Sequence, residues 1–149
     1  MARGLTYEEW ELGAVYETQA RTITEADVVT FAGLSGDYNP IHTDAEAAKA
    51  TPYGERVVHG MLTVAISSGM ANQTGLMEGT TIALLEQNIK YKNPVKFGDT
   101  VHLRMEVTEK RETSKPDRGI VIVAAQMLNQ RDEVVVEMIW TQLMVRRGA

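Results

Sequence analysis

From Ile82 onward the chain alternates apolar and polar positions with a period of two, in four runs: Ile82 to Lys92, Val101 to Glu109, Ile120 to Leu128 and Val134 to Val145. In the second run Val101, Leu103, Met105 and Val107 point one way, and His102, Arg104, Glu106 and Thr108 point the other. That is the pattern of antiparallel strands with one face buried and one face wet. Asn93-Pro94, Phe97-Gly98-Asp99, Lys115-Pro116-Asp117-Arg118-Gly119 and Asn129-Gln130-Arg131-Asp132 separate the runs with turn-forming and strand-breaking residues.

The first half has a different rhythm. Ala14 to Ile23 alternates well enough for an edge strand, and Thr24-Glu25-Ala26-Asp27 predicts an N-cap followed by acidic first-turn residues. The helix they open has Val28, Phe31, Ala32 and Leu34 as its buried face; Gly33 weakens it and Ser35-Gly36-Asp37 ends it. Asp44 caps a short alanine-rich helix through Ala50, and Thr51-Pro52-Tyr53-Gly54 predicts a loop. From Gly60 to about Met77, residues Met61, Leu62, Val64, Ala65, Ile66 and Met70 are interrupted only by small residues. A helix apolar on every side is a buried helix.

An edge strand, short helices, one long buried helix and four consecutive strands predict a single α+β domain over residues 1–149, with a curved antiparallel sheet wrapped around the central helix. Such a sheet leaves an edge free, so pairing of two copies is expected.

At 149 residues the chain can bury about two-thirds of the surface its unfolded form exposes, enough for one core. Its net charge of -5 removes any whole-surface attraction to phosphate backbones, so no nucleic-acid partner is expected. The absence of cysteine excludes disulfides, a thiolate nucleophile and cysteine-held metals, and fits a reducing cytosol. Glu8, Glu9, Glu11 and Glu17 stand where a secretory signal needs an apolar run, and no stretch reaches the ~20 apolar residues of a membrane span. A cytoplasmic protein with no membrane partner is the expectation.

Two motifs carry chemistry. In Gly36-Asp37-Tyr38-Asn39-Pro40-Ile41-His42 a carboxylate and an imidazole lie five residues apart on a turn stiffened by proline, close enough to exchange a proton. Asp-x-Asn-Pro alone is also an ordinary turn, since Asp and Asn bond to nearby backbone. In Val57-Val58-His59-Gly60-Met61-Leu62 a glycine opens the buried helix, where the first N–H groups lack helical partners and the helix dipole is positive. An oxyanion suits that position, and glycine lets a ligand approach the backbone closely. His59 reads as a packing or capping residue, and Ser68 either as a polar site residue or as a hydroxyl bonding back one helical turn. Asp37 and His42 lack the spacing of a helical zinc motif, so no metal is expected. Met61, Met70 and Met77 serve either as adaptable core or as the wall of an acyl tunnel.

With these residues in view, the chain resembles the MaoC-like, (R)-specific enoyl-CoA hydratases, which have the hot-dog fold. The likeness rests on the segment from Phe31 through Gly36-Asp37-Tyr38-Asn39-Pro40-Ile41-His42, on Val58-His59-Gly60-Met61-Leu62, and on Asn93-Pro94-Val95 with Gly98-Asp99. It implies that Asp37 and His42 are the catalytic pair and that the Gly60 N–H helps to bind a thioester carbonyl. It also implies that Asn39 holds the loop, that Ser68 lies near the pair, and that two chains form a homodimer with sites near the interface. The implied substrate is a coenzyme A or acyl-carrier thioester, with no separate cofactor; Lys90, Lys92, Lys96, Arg146 and Arg147 read either as solvated faces or as candidates to meet coenzyme A phosphates.

Adding water across an enoyl thioester needs a base for the water, an acid for the α-carbon and a home for charge on the carbonyl oxygen. Asp37 and His42 supply the first two as a coupled pair, and Gly60 the third. Two other readings stay open: a thioesterase of the same fold, and a non-catalytic module that binds acyl thioesters.

Overall fold

The computed structural model describes residues 4–148. A short 3-10 helix, Tyr7–Glu9, precedes two small strands, β1 (Val15–Glu17) and β2 (Arg21–Thr22). Four helices follow: α1 (Glu25–Ser35), α2 (Pro40–Thr43), α3 (Ala45–Lys49) and α4 (Gly60–Gln73). The four period-two runs become β3 (Thr81–Tyr91), β4 (Thr100–Glu112), β5 (Arg118–Leu128) and β6 (Val134–Val145). Every pairing is antiparallel, in the order β1-β4-β5-β6-β3, with β2 also on β4.

The inward positions of the sheet and the inner side of α4 make one core. Val101, Leu103, Met105 and Val107 of β4, Val121, Val123, Ala125 and Met127 of β5, and Met138, Trp140 and Met144 of β6 are all buried in one cluster with Leu62, Val64, Ile66 and Met70 of α4. Burying each such side chain contributes about 1.5–3 kcal/mol, so the sheet is held in its curve around α4 by the apolar surface it covers. The α+β expectation of a curved sheet around a central helix is met.

Local signals read as expected at several helix ends. Thr24 and Asp27 form a reciprocal cap: the Asp27 N–H reaches the Thr24 hydroxyl and the Thr24 N–H reaches the Asp27 carboxylate at 2.8 Å. Asp44 accepts the N–H groups of Glu46 and Ala47 at the start of α3.

Three expectations need correction. Leu34 is 84% exposed and not part of the buried face of α1. Only Val28 and Ala32, four apart, are buried there, with Phe31 half-buried beside them; Leu34 lies about 120° around the helix from Val28. The edge strand from Ala14 to Ile23 is broken into β1 and β2, because the Thr18 hydroxyl, at 2.9 Å, replaces a backbone carbonyl as acceptor for the Leu103 N–H. The central helix ends at Gln73 rather than Met77, with Gly75 at positive φ, and one stripe of it is open: Met61, Ala65, Ser68, Gly69 and Asn72 are exposed. The sheet of this chain wraps only part of the helix. The outer edge strand β3 is open too, with Leu84 and Leu85 each about half exposed.

Two connections position the loops at the start of α4. The Val58 N–H donates to the Val95 carbonyl at 2.8 Å, beside a bridge between Val57 and Lys96. Asp99, buried, receives the Lys96 N–H and the Gln130 amide at 2.8 and 2.7 Å, and so fixes the β3 to β4 turn from which Val95 reaches across.

At the far end of the sheet Glu8 accepts from the Arg146 side chain at 2.7 Å and from the Arg147 N–H at 2.9 Å, docking the N-terminal turn onto the end of β6. These bonds, the Arg146 guanidinium first, hold the Glu8 carboxyl down to about 2 from an ordinary 4.5. A depressed carboxylate stabilises the fold above its unfolded value and stops doing so as pH falls through its folded value. Thermal unfolding of the parent and Glu8→Gln should therefore show a gap at neutral pH that closes between pH 4.5 and about 2. A gap unchanged down to the lower limit would contradict this.

Candidate active site

Gly36 ends α1 in the left-handed conformation, φ +77°, with its N–H on the Ala32 carbonyl at 2.9 Å. A residue with a β-carbon is disfavoured there, so the glycine sets the reversal that brings the chain to Asp37. The Ser35 hydroxyl bonds the Phe31 carbonyl at 2.7 Å and accepts the Asp37 N–H at 3.1 Å. Asp37 Oδ1 accepts the Asn39 N–H at 3.2 Å, and Asn39 Oδ1 accepts the Ile41 N–H at 3.3 Å, capping α2 with Pro40 at its first position. A single helical turn then carries His42. The turn reading of Asp-x-Asn-Pro is correct, and the turn places both side chains beside one cleft.

The second motif meets the first through its backbone. The Val57 N–H donates to the Ile41 carbonyl at 3.2 Å. His42 Nδ1 lies 2.7 Å from the Val57 carbonyl oxygen. A carbonyl only accepts, so Nδ1 carries the proton and the neutral ring keeps its lone pair on Nε2. His59 makes the converse contact, with Nε2 at 2.9 Å from the Asp37 carbonyl oxygen; its Nε2 carries the proton and its lone pair is on Nδ1. The two imidazoles stack at 3.9 Å with 26° between planes, and Phe31 presents its ring to His59 edge-on at 5.0 Å. His59 occupies the N-cap position of α4 but caps nothing with its side chain.

Asp37, His42, His59 and Gly60 line one cleft of about 500 Å³, together with Met61, Tyr91, Asn93 and Val135. Asp37 is exposed, His42 half-buried and His59 1% exposed. Among the described residues, the N–H groups of Gly60 and Met61 have no acceptor, while those of Leu62 and Thr63 share the His59 carbonyl. The first turn of α4 thus offers free donors at its positive end. A β-carbon at Gly60 would stand 2.8 Å from Cε1 of Tyr91, so the Tyr91 ring lies against that turn and would have to shift to admit one.

Asp37, His42 and His59 bring potential metal-ligand atoms within 4.8 Å of one another. In that set His59 Nε2 is committed to the Asp37 carbonyl, while the Asp37 carboxylate, His42 Nε2 and the buried His59 Nδ1 keep lone pairs.

The structure brings Asp37, His42 and Gly60 together and sets Asn39 behind them. Ser68 is elsewhere: it lies eight residues beyond Gly60, about 12 Å along α4, and lines a separate hollow with Met77, Leu84 and Trp140. Ser67, not Ser68, bonds back one turn, to the Thr63 carbonyl at 2.9 Å. Lys92 lines the main cleft, whereas Lys96 is engaged with Glu55 at 2.5 Å and Arg146 and Arg147 with Glu8 and Glu9. Tyr91 carries no local signal of its place, since its approach to Gly60 depends on how β3 passes the start of α4.

Residues 9–127 match the family model described as a MaoC like domain. The chain belongs to the MaoC-like domain family. Its fold is the hot-dog fold. This MaoC-like chain is 40% identical over 113 residues to protein MaoC of Klebsiella aerogenes, covering 76% of this chain and 33% of that protein. It is 36% identical over 105 residues to an (R)-specific enoyl-CoA hydratase of Aeromonas caviae, covering 70% of this chain and 74% of that enzyme. A solved structure from Archaeoglobus fulgius, described as a monoamine oxidase regulatory protein, superposes with a TM-score of 0.92 at 34% identity over 99% of both chains. The MaoC-like chain therefore spans a third of its Klebsiella relative and about three-quarters of the Aeromonas one.

The hydrogen bonds to Val57 and Asp37 predict opposite tautomers for the two stacked rings. In nitrogen-15 spectra of the neutral imidazoles, His42 should be protonated at Nδ1 and His59 at Nε2. An Nε2-protonated His42 would remove the lone pair from the cleft and contradict the geometry.

Proposed function

We propose that this MaoC-like domain is a hydratase that reversibly adds water to a trans-2-enoyl thioester, giving the (R)-3-hydroxyacyl product. The observation that carries the reading is convergence: the His42 Nε2 lone pair, the Asp37 carboxylate and the free N–H of Gly60 line one cleft. The name of the Aeromonas relative supports the reaction and its stereochemistry.

In this mechanism water bound between Asp37 and His42 attacks the β-carbon while His42 Nε2 takes one of its protons. The carbon-carbon π electrons shift toward the thioester, and negative charge grows on the carbonyl oxygen. The Gly60 N–H donates to that oxygen; losing such a donor typically costs about 3–4 kcal/mol of transition-state stabilisation. The Asp37-His42 pair then returns a proton to the α-carbon, so water's elements end on the β- and α-carbons and the pair is regenerated. General acid/base work belongs to the pair as a unit. Asn39 serves it by fixing the turn between the two side chains. No metal or separate cofactor enters the reaction.

Coenzyme A fits as the carrier in this reading. Lys92 stands at the cleft and is held only loosely, 3.7 Å from Glu137, so its ammonium is available to a phosphate. A homodimer is part of the same proposal, supported by the open stripe of α4 and the apolar outer edge of β3, where Ile82, Leu84 and Leu85 are exposed. In such a dimer Ser68 faces the partner rather than the pair on its own chain. A cytoplasmic setting accords with the sequence; no described helix is long and apolar enough to cross a membrane.

Crotonyl-CoA tests the reaction. Hydration removes the enoyl absorbance without releasing thiol, whereas thioester hydrolysis releases it. Asp37→Asn and His42→Ala should each lower turnover by at least about a hundredfold while the melting temperature stays near that of the parent. Near-normal hydration by either folded variant would reject the assignment.

A further inference from the structure

His59 reaches both motifs of the site while offering almost no surface to the cleft it lines. It is 1% exposed, its ring lies between His42 and Phe31, and it directly precedes Gly60. Among the described residues, the one hydrogen bond of its ring is the Nε2–H to the Asp37 carbonyl, and its Nδ1 has no partner. A histidine kept only for packing would be an expensive choice at such a position, because a buried ring nitrogen without a partner is destabilising. An apolar residue would fill the space without that cost.

Asp37 needs the contact. It is exposed, and among the described residues its carboxylate is anchored by a single 3.2 Å bond from the Asn39 N–H. Among the same residues its main chain is tied to Ser35 on one side and to the His59 ring alone on the other.

We propose that His59 is a positioning residue: stacking between His42 and Phe31 aims its Nε2–H at the Asp37 carbonyl, which fixes the Asp37 backbone and so the direction of its carboxylate relative to His42 Nε2 and the Gly60 N–H. The inference rests on the hydratase reading. It assigns His59 no proton transfer and no contact with substrate. Its work is to join the turn carrying the acid/base pair to the helix carrying the oxyanion donor, so that these groups keep one spacing while charge moves among them.

Two amide substitutions separate this role from packing. The amide nitrogen of glutamine stands about where imidazole Nε2 stands, and that of asparagine about where Nδ1 stands. Both variants lose the ring, but only His59→Gln can still donate to the Asp37 carbonyl. With crotonyl-CoA, His59→Gln should keep kcat within about fivefold of the parent, while His59→Asn falls roughly 10- to 100-fold, as misplacement of a reacting group does. KM should stay within about threefold in both, since His59 is 1% exposed and adds almost nothing to the cleft surface. His59→Phe fills the ring's space without the donor and should fall with the asparagine variant; it decides the matter if His59→Asn does not fold. Asparagine or phenylalanine variants that match glutamine in kcat would overturn the positioning role while leaving the hydratase reading intact. A parent protein that fails to hydrate crotonyl-CoA would overturn both.

Discussion

Two histidines donate across to each other's motif, and the site depends on that crossing. His42, from the turn after α1, gives its Nδ1–H to Val57; His59, from the segment before α4, gives its Nε2–H to Asp37. Each bond contributes only about 0.5–1.5 kcal/mol net, but together they decide more than stability. The first leaves a lone pair on His42 Nε2 at the cleft. The second, with the 3.9 Å ring stack, holds the two motifs at one separation.

The fold makes this crossing reachable. The curved sheet buries one side of α4, which fixes the helix axis, and the Val58 to Val95 bond fixes where the helix begins. α1 packs through Val28 and Ala32 and must end at Gly36, because that glycine turns the chain toward His59. Displacing either helix by an ångström would leave a carboxylate, an imidazole and a helix N-terminus in the same region without a common focus, and proton transfer is sensitive to that scale.

Much of this was legible in the sequence, for physical reasons that also mark where legibility stops. β4, β5 and β6 announced themselves because each alternates a buried face with a wetter one, which keeps the period of two visible, whereas β3 has no buried residue. Thr24 with Asp27, and Asp44, were readable because capping is local chemistry. Leu34 misled because an apolar side chain says nothing about whether a neighbour covers its side of the helix. The same holds for the open stripe of α4, whose small and apolar residues suit a partner chain as well as a core. Asp37, His42 and Gly60 were readable as motifs; their meeting in one cleft was not, since it depends on contacts between segments about twenty residues apart. Ser68 looked close to the pair only while distance along α4 was left out. The part played by His59 required knowing what its ring lies against.

The central claim is that one pair, on one side of the substrate, handles both the water and the α-carbon proton. Hydration of crotonyl-CoA in deuterium oxide, followed by stereochemical analysis of both carbons, tests it most directly. A shared pair predicts the (R)-3-hydroxy product with oxygen and deuterium added to the same face of the double bond. Addition to opposite faces would require a second acid across the cleft and would contradict the Asp37-His42 assignment.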